Sequence, residues 1–129
     1  MIAGIGVDIV SVKRVYEASQ RWEFHFLQKI FSDSEIDYCM SKTGKAVSQS
    51  LAARFAAKEA FKKALTASGN ARPLNWKDAW VEHTGDDVPY LKFSSQLQKD
   101  MEPFNCHLSL SHESDFAIAM VILEGKNNS

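Results

Sequence analysis

The sequence predicts an α+β domain in which a long central helix and shorter helices pack on an antiparallel sheet. Three observations carry this. After one opening strand, the first half of the chain shows helical spacing. The second half is dominated by short strand-like runs separated by turns. Between them, residues 48–66, SQSLAARFAAKEAFKKALT, consist almost wholly of good helix formers. The 129 residues suit one domain, and 45% hydrophobic residues suffice for a core. Residues 1–124 are assigned to that domain and 125–129 to a polar C-terminal tail.

Residues 2–10, IAGIGVDIV, read as a strand. Alternation puts Ala3, Ile5, Val7 and Ile9 on one face and Ile2, Gly4, Gly6, Asp8 and Val10 on the other. The two glycines clear space beside one carboxylate. Glycine inside a strand marks close approach by a ligand or another backbone. An acid near a strand start is commonly a turn or cap residue, but Asp8 sits mid-strand between Val7 and Ile9.

Residues 11–30 carry helical spacing, with Val12, Val15 and Ala18 on a face continued by Trp22, Phe26 and Ile30. Lys13, Arg14 and Arg21 are either solubilising charge or a dock for an acidic partner. Ser32 and Glu35 fit the Ser-x-x-Glu capping box and open a second helix, which Ser41 to Lys45 close. The long helix is capped by Ser48 or Ser50 and ended by Thr66 to Gly69. At 100° per residue, Ala53, Ala56, Ala57, Ala60 and Ala64 share one side, which another element can approach closely. Arg54, Lys58, Glu59, Lys62 and Lys63 fall on the opposite arc, beside Leu51 and Phe55. That arc reads in two ways. It is a solvated face with a Glu59–Lys63 pair worth roughly 0.3–0.5 kcal/mol, or a carboxylate among cations suited to a metal beside phosphates.

Residues 67–75 form a loop by composition. Strands over 79–83 and 90–93 make a hairpin around GDDVP. Ser94 or Ser95 caps a helix over 96–101 that Pro103 terminates. Strands over 107–111 and 116–123 flank a turn at 112–115, and FAIAMVIL, apolar on both faces, belongs at the centre of the sheet.

A net charge of −1 and a pI near 6.4 exclude a global basic field for nucleic acid. Cys39, Cys106 and the histidines His25, His83 and His107 show no metal spacing. No secretory signal pattern opens the chain, and no apolar stretch approaches the roughly 20 residues that span a bilayer. The expectation is a soluble cytoplasmic protein with reduced thiols and no membrane partner.

Three motifs stand in order: GIGVDIV with Asp8, RFAAKEAFKKA with Glu59, and LSLSHE with Ser111 and His112. In this order, at these separations and in a chain of this length, they resemble the short single-domain form of the phosphopantetheinyl transferase superfamily. The resemblance spans Met1 to Leu123 and implies that family's fold. It implies transfer of 4′-phosphopantetheine from coenzyme A to a serine of an apo acyl carrier protein, leaving adenosine 3′,5′-bisphosphate. It implies Asp8 and Glu59 as ligands of Mg²⁺, Glu59 as the base, directly or through water, and Lys63 at the diphosphate. Arg54 and Lys58 would meet other phosphates or a neighbouring subunit, and Ser111 and His112 would lie near coenzyme A. Arg14 and Arg21 would meet an acidic helix of the carrier. The resemblance further implies a homotrimer with sites between subunits and a place in fatty acid biosynthesis, a polyketide or peptide synthase carrier being the alternative.

Two loops depart from the family pattern. TASGNARP has Gly69 as its only glycine, and GDDVP replaces Gly-Lys-Pro. A non-catalytic coenzyme A or carrier-binding module is one competing reading, opposed by retention of both carboxylates. A structural domain with a solvated charged helix is another, opposed by the glycine-cleared strand at Asp8.

Overall fold

In the computed structural model the described residues are 1–126, the side chains of 22–24 excepted. The chain runs β1 (Ile2–Ser11), α1 (Val12–Ile30), α2 (Asp33–Met40), α3 (Lys45–Ala67), β2 (Ala79–His83), β3 (Pro89–Phe93), α4 (Ser95–Met101), β4 (Phe104–His112) and β5 (Phe116–Gly125). β1, β5 and β4 form one antiparallel sheet with β5 in the middle, as its apolar run predicts. β2 and β3 form a separate two-stranded hairpin.

One contact sets the architecture. α3 lies along β1 and β5 with its alanine face against them, and Ala53, Ala56, Ala57, Ala60 and Ala64 are all buried. The facing surface of β1 is the Gly4–Gly6 side. A Cβ on Gly4 would stand 2.1 Å from Ala64 O, and one on Gly6 would stand 1.9 Å from Ala60 O. The glycines therefore clear space for a helix backbone, the second of the two occupants that strand glycines admit. Around this contact β5 contributes Ala117, Ala119, Val121 and Leu123 to the core, and the hairpin and α4 add Val81, Leu91, Leu97 and Met101. A second apolar cluster, with Val12, Val15, Leu27, Phe31 and Ile36, packs α1 and α2 onto the first half of α3.

Several boundaries differ from the sequence reading. α3 begins at Lys45 after Gly44, which sits at φ 58° as N-cap without a side-chain cap bond. Ser48 and Ser50 lie inside the helix, and Ser50 Oγ accepts a hydrogen bond from Cys39 Sγ at 3.3 Å. β4 starts directly after Pro103, earlier than its core pattern indicates. Gly125 belongs to β5, its N–H donating to Met1 O at 2.8 Å, so the expected tail boundary moves outward. The tail reading for 127–129 and the placement of Trp22 on the α1 face lie outside the described residues. The capping box forms as read: Glu35 N–H donates to Ser32 Oγ and Ser32 N–H to Glu35 Oε1. Among the described residues no helix is long and apolar enough to cross a membrane.

Candidate active site

Asp8 follows the two glycines on the same strand face, and its side chain is largely covered. It pairs with Lys63, whose Nζ lies 3.0 Å from Asp8 Oδ1 and donates to Val7 O at 3.0 Å. Lys63 thus reaches across to β1 instead of back along α3 to Glu59. Glu59 stands one helical turn before Lys63 and has no ion-pair partner among the described residues. Asp8 and Glu59 line one open cleft of about 520 Å³ between β1, α1 and α3. Arg14, Phe26 and Phe55 complete its walls. Arg14 is exposed, and Arg21 is exposed two turns further along α1. Glu59 also borders a small concavity whose far wall is Leu74, Asn75 and Trp76.

The charged arc read on α3 is corrected by burial. Lys58 is only 5% exposed and turns its ammonium inward, onto Glu35 Oε1 at 2.9 Å and the carbonyls of Ala79 and Trp76 at 2.6 and 3.0 Å. Burial pushes the Lys58 ammonium below its usual range, and Glu35 pulls it back. Arg54 is buried as well. Its guanidinium donates to Ser50 O at 3.3 Å and to His83 Nε2 at 3.0 Å, and lies 4.3 Å from the Tyr38 ring. Its Nε has no hydrogen-bond partner among the described residues. Within one chain the two residues expected at other phosphates or a neighbouring subunit are engaged inside the fold: Lys58 has all three donors in use, and Arg54 is bound to His83 and Tyr38 outside the Asp8 cleft. The exposed part of the arc narrows to Lys62 and Lys63, with Glu59 half-buried.

Ser111 and His112 lie elsewhere. Ser111 pairs with Ile118 in the middle strand, and Ile118 pairs with Ile9. These residues share the sheet face opposite α3 and border a shallow hollow of about 270 Å³ with Phe116. Within one chain the structure therefore brings Asp8, Glu59, Lys63 and Arg14 together and leaves Ser111 and His112 apart. Sequence reasoning missed Glu35 and Trp76. Glu35 shows only its capping signature, which does not distinguish a solvated acid from a buried one, and Trp76 lies in a stretch read as loop.

A strand whose glycines seat a helix, with a carboxylate from each element lining one cleft beside Lys63 and Arg14, defines the class. The family model described as the 4′-phosphopantetheinyl transferase superfamily matches residues 4–121, and the chain belongs to that family. Within it, the chain is similar to the holo-(acyl-carrier-protein) synthases. It is 42% identical to that of a Geobacter species over 96% of this chain and 99% of the relative. It is 39% identical to that of Halothermothrix orenii over 96% and 98%. Among solved structures, the Helicobacter pylori synthase in complex with coenzyme A is 34% identical, with a TM-score of 0.78 over 93% of this chain and 99% of that one. The Bacillus anthracis synthase in complex with CoA (3′,5′-ADP) is 30% identical, with a TM-score of 0.77 over 98% and 99%.

Proposed function

We propose that the chain is a holo-(acyl-carrier-protein) synthase, transferring 4′-phosphopantetheine from coenzyme A to a serine of an apo acyl carrier protein and releasing adenosine 3′,5′-bisphosphate. The observation that carries this is the cleft shared by Asp8 and Glu59, with Lys63 on the first carboxylate and Arg14 on its wall. The coenzyme A complexes of the similar synthases support the substrate.

The donor set suits Mg²⁺, which takes one or two protein carboxylates and leaves its other positions to water and phosphate. The ammonium of Lys63 already shows that Asp8 draws a cation. Asp8 and Glu59 would hold the ion, which supplies charge neutralisation at the diphosphate oxygens. Glu59 takes the proton of the carrier serine, directly or through water. The serine oxygen forms a bond to the β-phosphorus, the phosphoanhydride bond breaks, and the bisphosphate leaves with the electron pair. Lys63 donates to the phosphate oxygens as charge shifts to the leaving group.

Arg14 and Arg21 face an acidic helix of the carrier. Ser111 and His112 serve coenzyme A in a neighbouring subunit's site within a homotrimer. What supports this is the open sheet face, where Ile5, Val7, Ile9, Phe116, Ile118 and Met120 are each at least 40% exposed beside Ser111. A contiguous apolar patch of this kind marks an association surface. We place the protein in the cytoplasm and its carrier in fatty acid biosynthesis. The free thiols of Cys39 and Cys106 agree with a reducing compartment.

Intact-protein mass spectrometry tests the reading. The chain, coenzyme A, Mg²⁺ and an apo carrier are incubated with and without EDTA. The expected result is a phosphopantetheine adduct on the carrier that EDTA abolishes and that Asp8→Ala and Glu59→Ala reduce at least about 100-fold. Coenzyme A binding without any adduct moves the reading to a binding module.

A further inference from the structure

The buried pair Glu35–Lys58 has no part in the chemistry above. Glu35 has no exposed surface, and the Lys58 side chain that pairs with it is almost wholly buried. A buried ion pair is a weak source of stability, since apolar residues of similar volume do as well or better. Its bonds show what it holds instead. Glu35 Oε1 accepts from Lys58 Nζ at 2.9 Å and from Ser32 N–H at 3.0 Å, while Oε2 accepts from Val81 N–H at 2.9 Å. Lys58 also donates to Ala79 O at 2.6 Å and Trp76 O at 3.0 Å. All three ammonium donors are used, on a side chain and two carbonyls. The acid secures the end of α2 to β2, and the lysine carries that anchor to the segment entering the hairpin.

That segment has a second side. Leu74, Asn75 and Trp76 form the wall of the concavity whose other edge is Glu59 and Lys62. The Trp76 ring stacks on Phe55, with centroids 5.1 Å apart, and Phe55 lines the Asp8 cleft. Lys58, the residue before Glu59, thus holds the backbone of the segment that walls the concavity beside Glu59, and lines that concavity itself. An apolar residue at 58 fills the space but cannot hold the buried carbonyl of Ala79 and the part-buried one of Trp76.

We infer that Glu35 and Lys58 are positioning residues for the transfer, holding the Leu74–Trp76 segment as a preformed wall beside Glu59 for coenzyme A. The inference rests on the transferase reading. Its test compares the full chain with Glu35→Gln/Lys58→Met, which removes both charges together and keeps an acceptor for Val81 N–H. The expected result is a folded protein with the KM for coenzyme A raised about tenfold, the scale of ordering one mobile segment on binding. The kcat and the KM for the carrier stay near wild type. A purely structural pair would leave that split unmoved once folding is restored.

A second measurement is independent of activity. With Trp22→Phe and Trp80→Phe in both proteins, Trp76 is the sole emitter. Its anisotropy decay should lack nanosecond local motion when the pair is intact, and acrylamide quenching should rise when the pair is replaced. An unchanged KM in the folded double variant overturns the inference, as does a raised KM with unchanged Trp76 quenching. If the double variant does not fold, the parent decides: free motion of Trp76 with the pair intact overturns the inference, and its absence sustains it. Failure of the wild-type chain to transfer any group overturns the transferase reading instead.

Discussion

Asp8 owes its position to the two glycines before it. Each alternate residue on that face of β1 meets α3, so the strand carries no side chain at 4 and 6 and resumes with a carboxylate at 8 where the cleft opens. Gly6→Ala would put a methyl 1.9 Å from Ala60 O and 2.7 Å from Ala64 N, both backbone atoms of a buried helix. The expected cost is about 3 kcal/mol, the upper end for overpacking, read from urea unfolding. His83 carries a different prediction. Arginine has no acceptor, so the 3.0 Å contact with Arg54 makes His83 Nε2 the acceptor and the ring neutral. Burial first, and then Arg54, hold His83 below its ordinary 6.5, against the opposing pull of Asp87 and Glu82. A pKa lower in the folded than in the unfolded chain means that this contribution to stability is complete above 6.5 and is lost as pH falls through the folded value. Urea midpoints between pH 7.5 and 5 should therefore fall more in wild type than in His83→Gln.

At the scale of elements, α3 is a core helix that releases only one edge to the site. Its alanines meet the sheet, Leu51, Phe61 and Leu65 fill the two clusters, and Arg54 and Lys58 are drawn inside by partners on α2 and the hairpin. What is left for chemistry is the edge carrying Glu59 and Lys63, opposite α1. α1 meets that edge with Arg14, whose backbone N–H donates to the Ser11 N-cap at 3.3 Å while its side chain stays exposed. Arg14 is thus tied to the fold through its backbone, and its side chain has no ion-pair partner among the described residues. Arg14→Glu should lower kcat/KM for the carrier by at least roughly tenfold, with a steep salt dependence, and leave the KM for coenzyme A unchanged. Steady-state kinetics varying each substrate separately checks this, and equal loss for both would make Arg14 a structural residue.

For the whole molecule, the telling feature is a sheet with two unlike faces. One is closed by α3, and the other presents Ile5, Val7, Ile9, Phe116, Ile118 and Met120 outward. Val7 and Met120 are directly paired near the middle of that face. In the proposed homotrimer, Val7→Asp would bury an unpaired charge. The variant should sediment as a monomer with its helix content intact and its transfer activity lost. Assembly of the variant as in wild type would place the subunit contact on another surface.

The sequence by itself determined the order of elements, the central place of β5, the capping box at Ser32 and the two carboxylates that share the cleft. These follow from local causes. Periodicity and propensity act within a few residues, and Asp8 and Glu59 each sit in a motif legible without its partner. Only the tertiary structure decided which charges are solvent-facing. Helical periodicity groups Arg54, Lys58, Glu59, Lys62 and Lys63 on one arc, but whether a cation can enter the interior depends on acceptors supplied by distant residues. Glu35, Ala79 and Trp76 supply them for Lys58, and His83 for Arg54. The occupant cleared for by Gly4 and Gly6 was likewise open until α3 was seen to fill it, because a missing side chain marks space without saying what occupies it. The separation of Ser111 and His112 from Asp8 was decided by sheet order. The middle strand stands between β1 and β4, and alternation turns Ser111 away from the face that α3 covers.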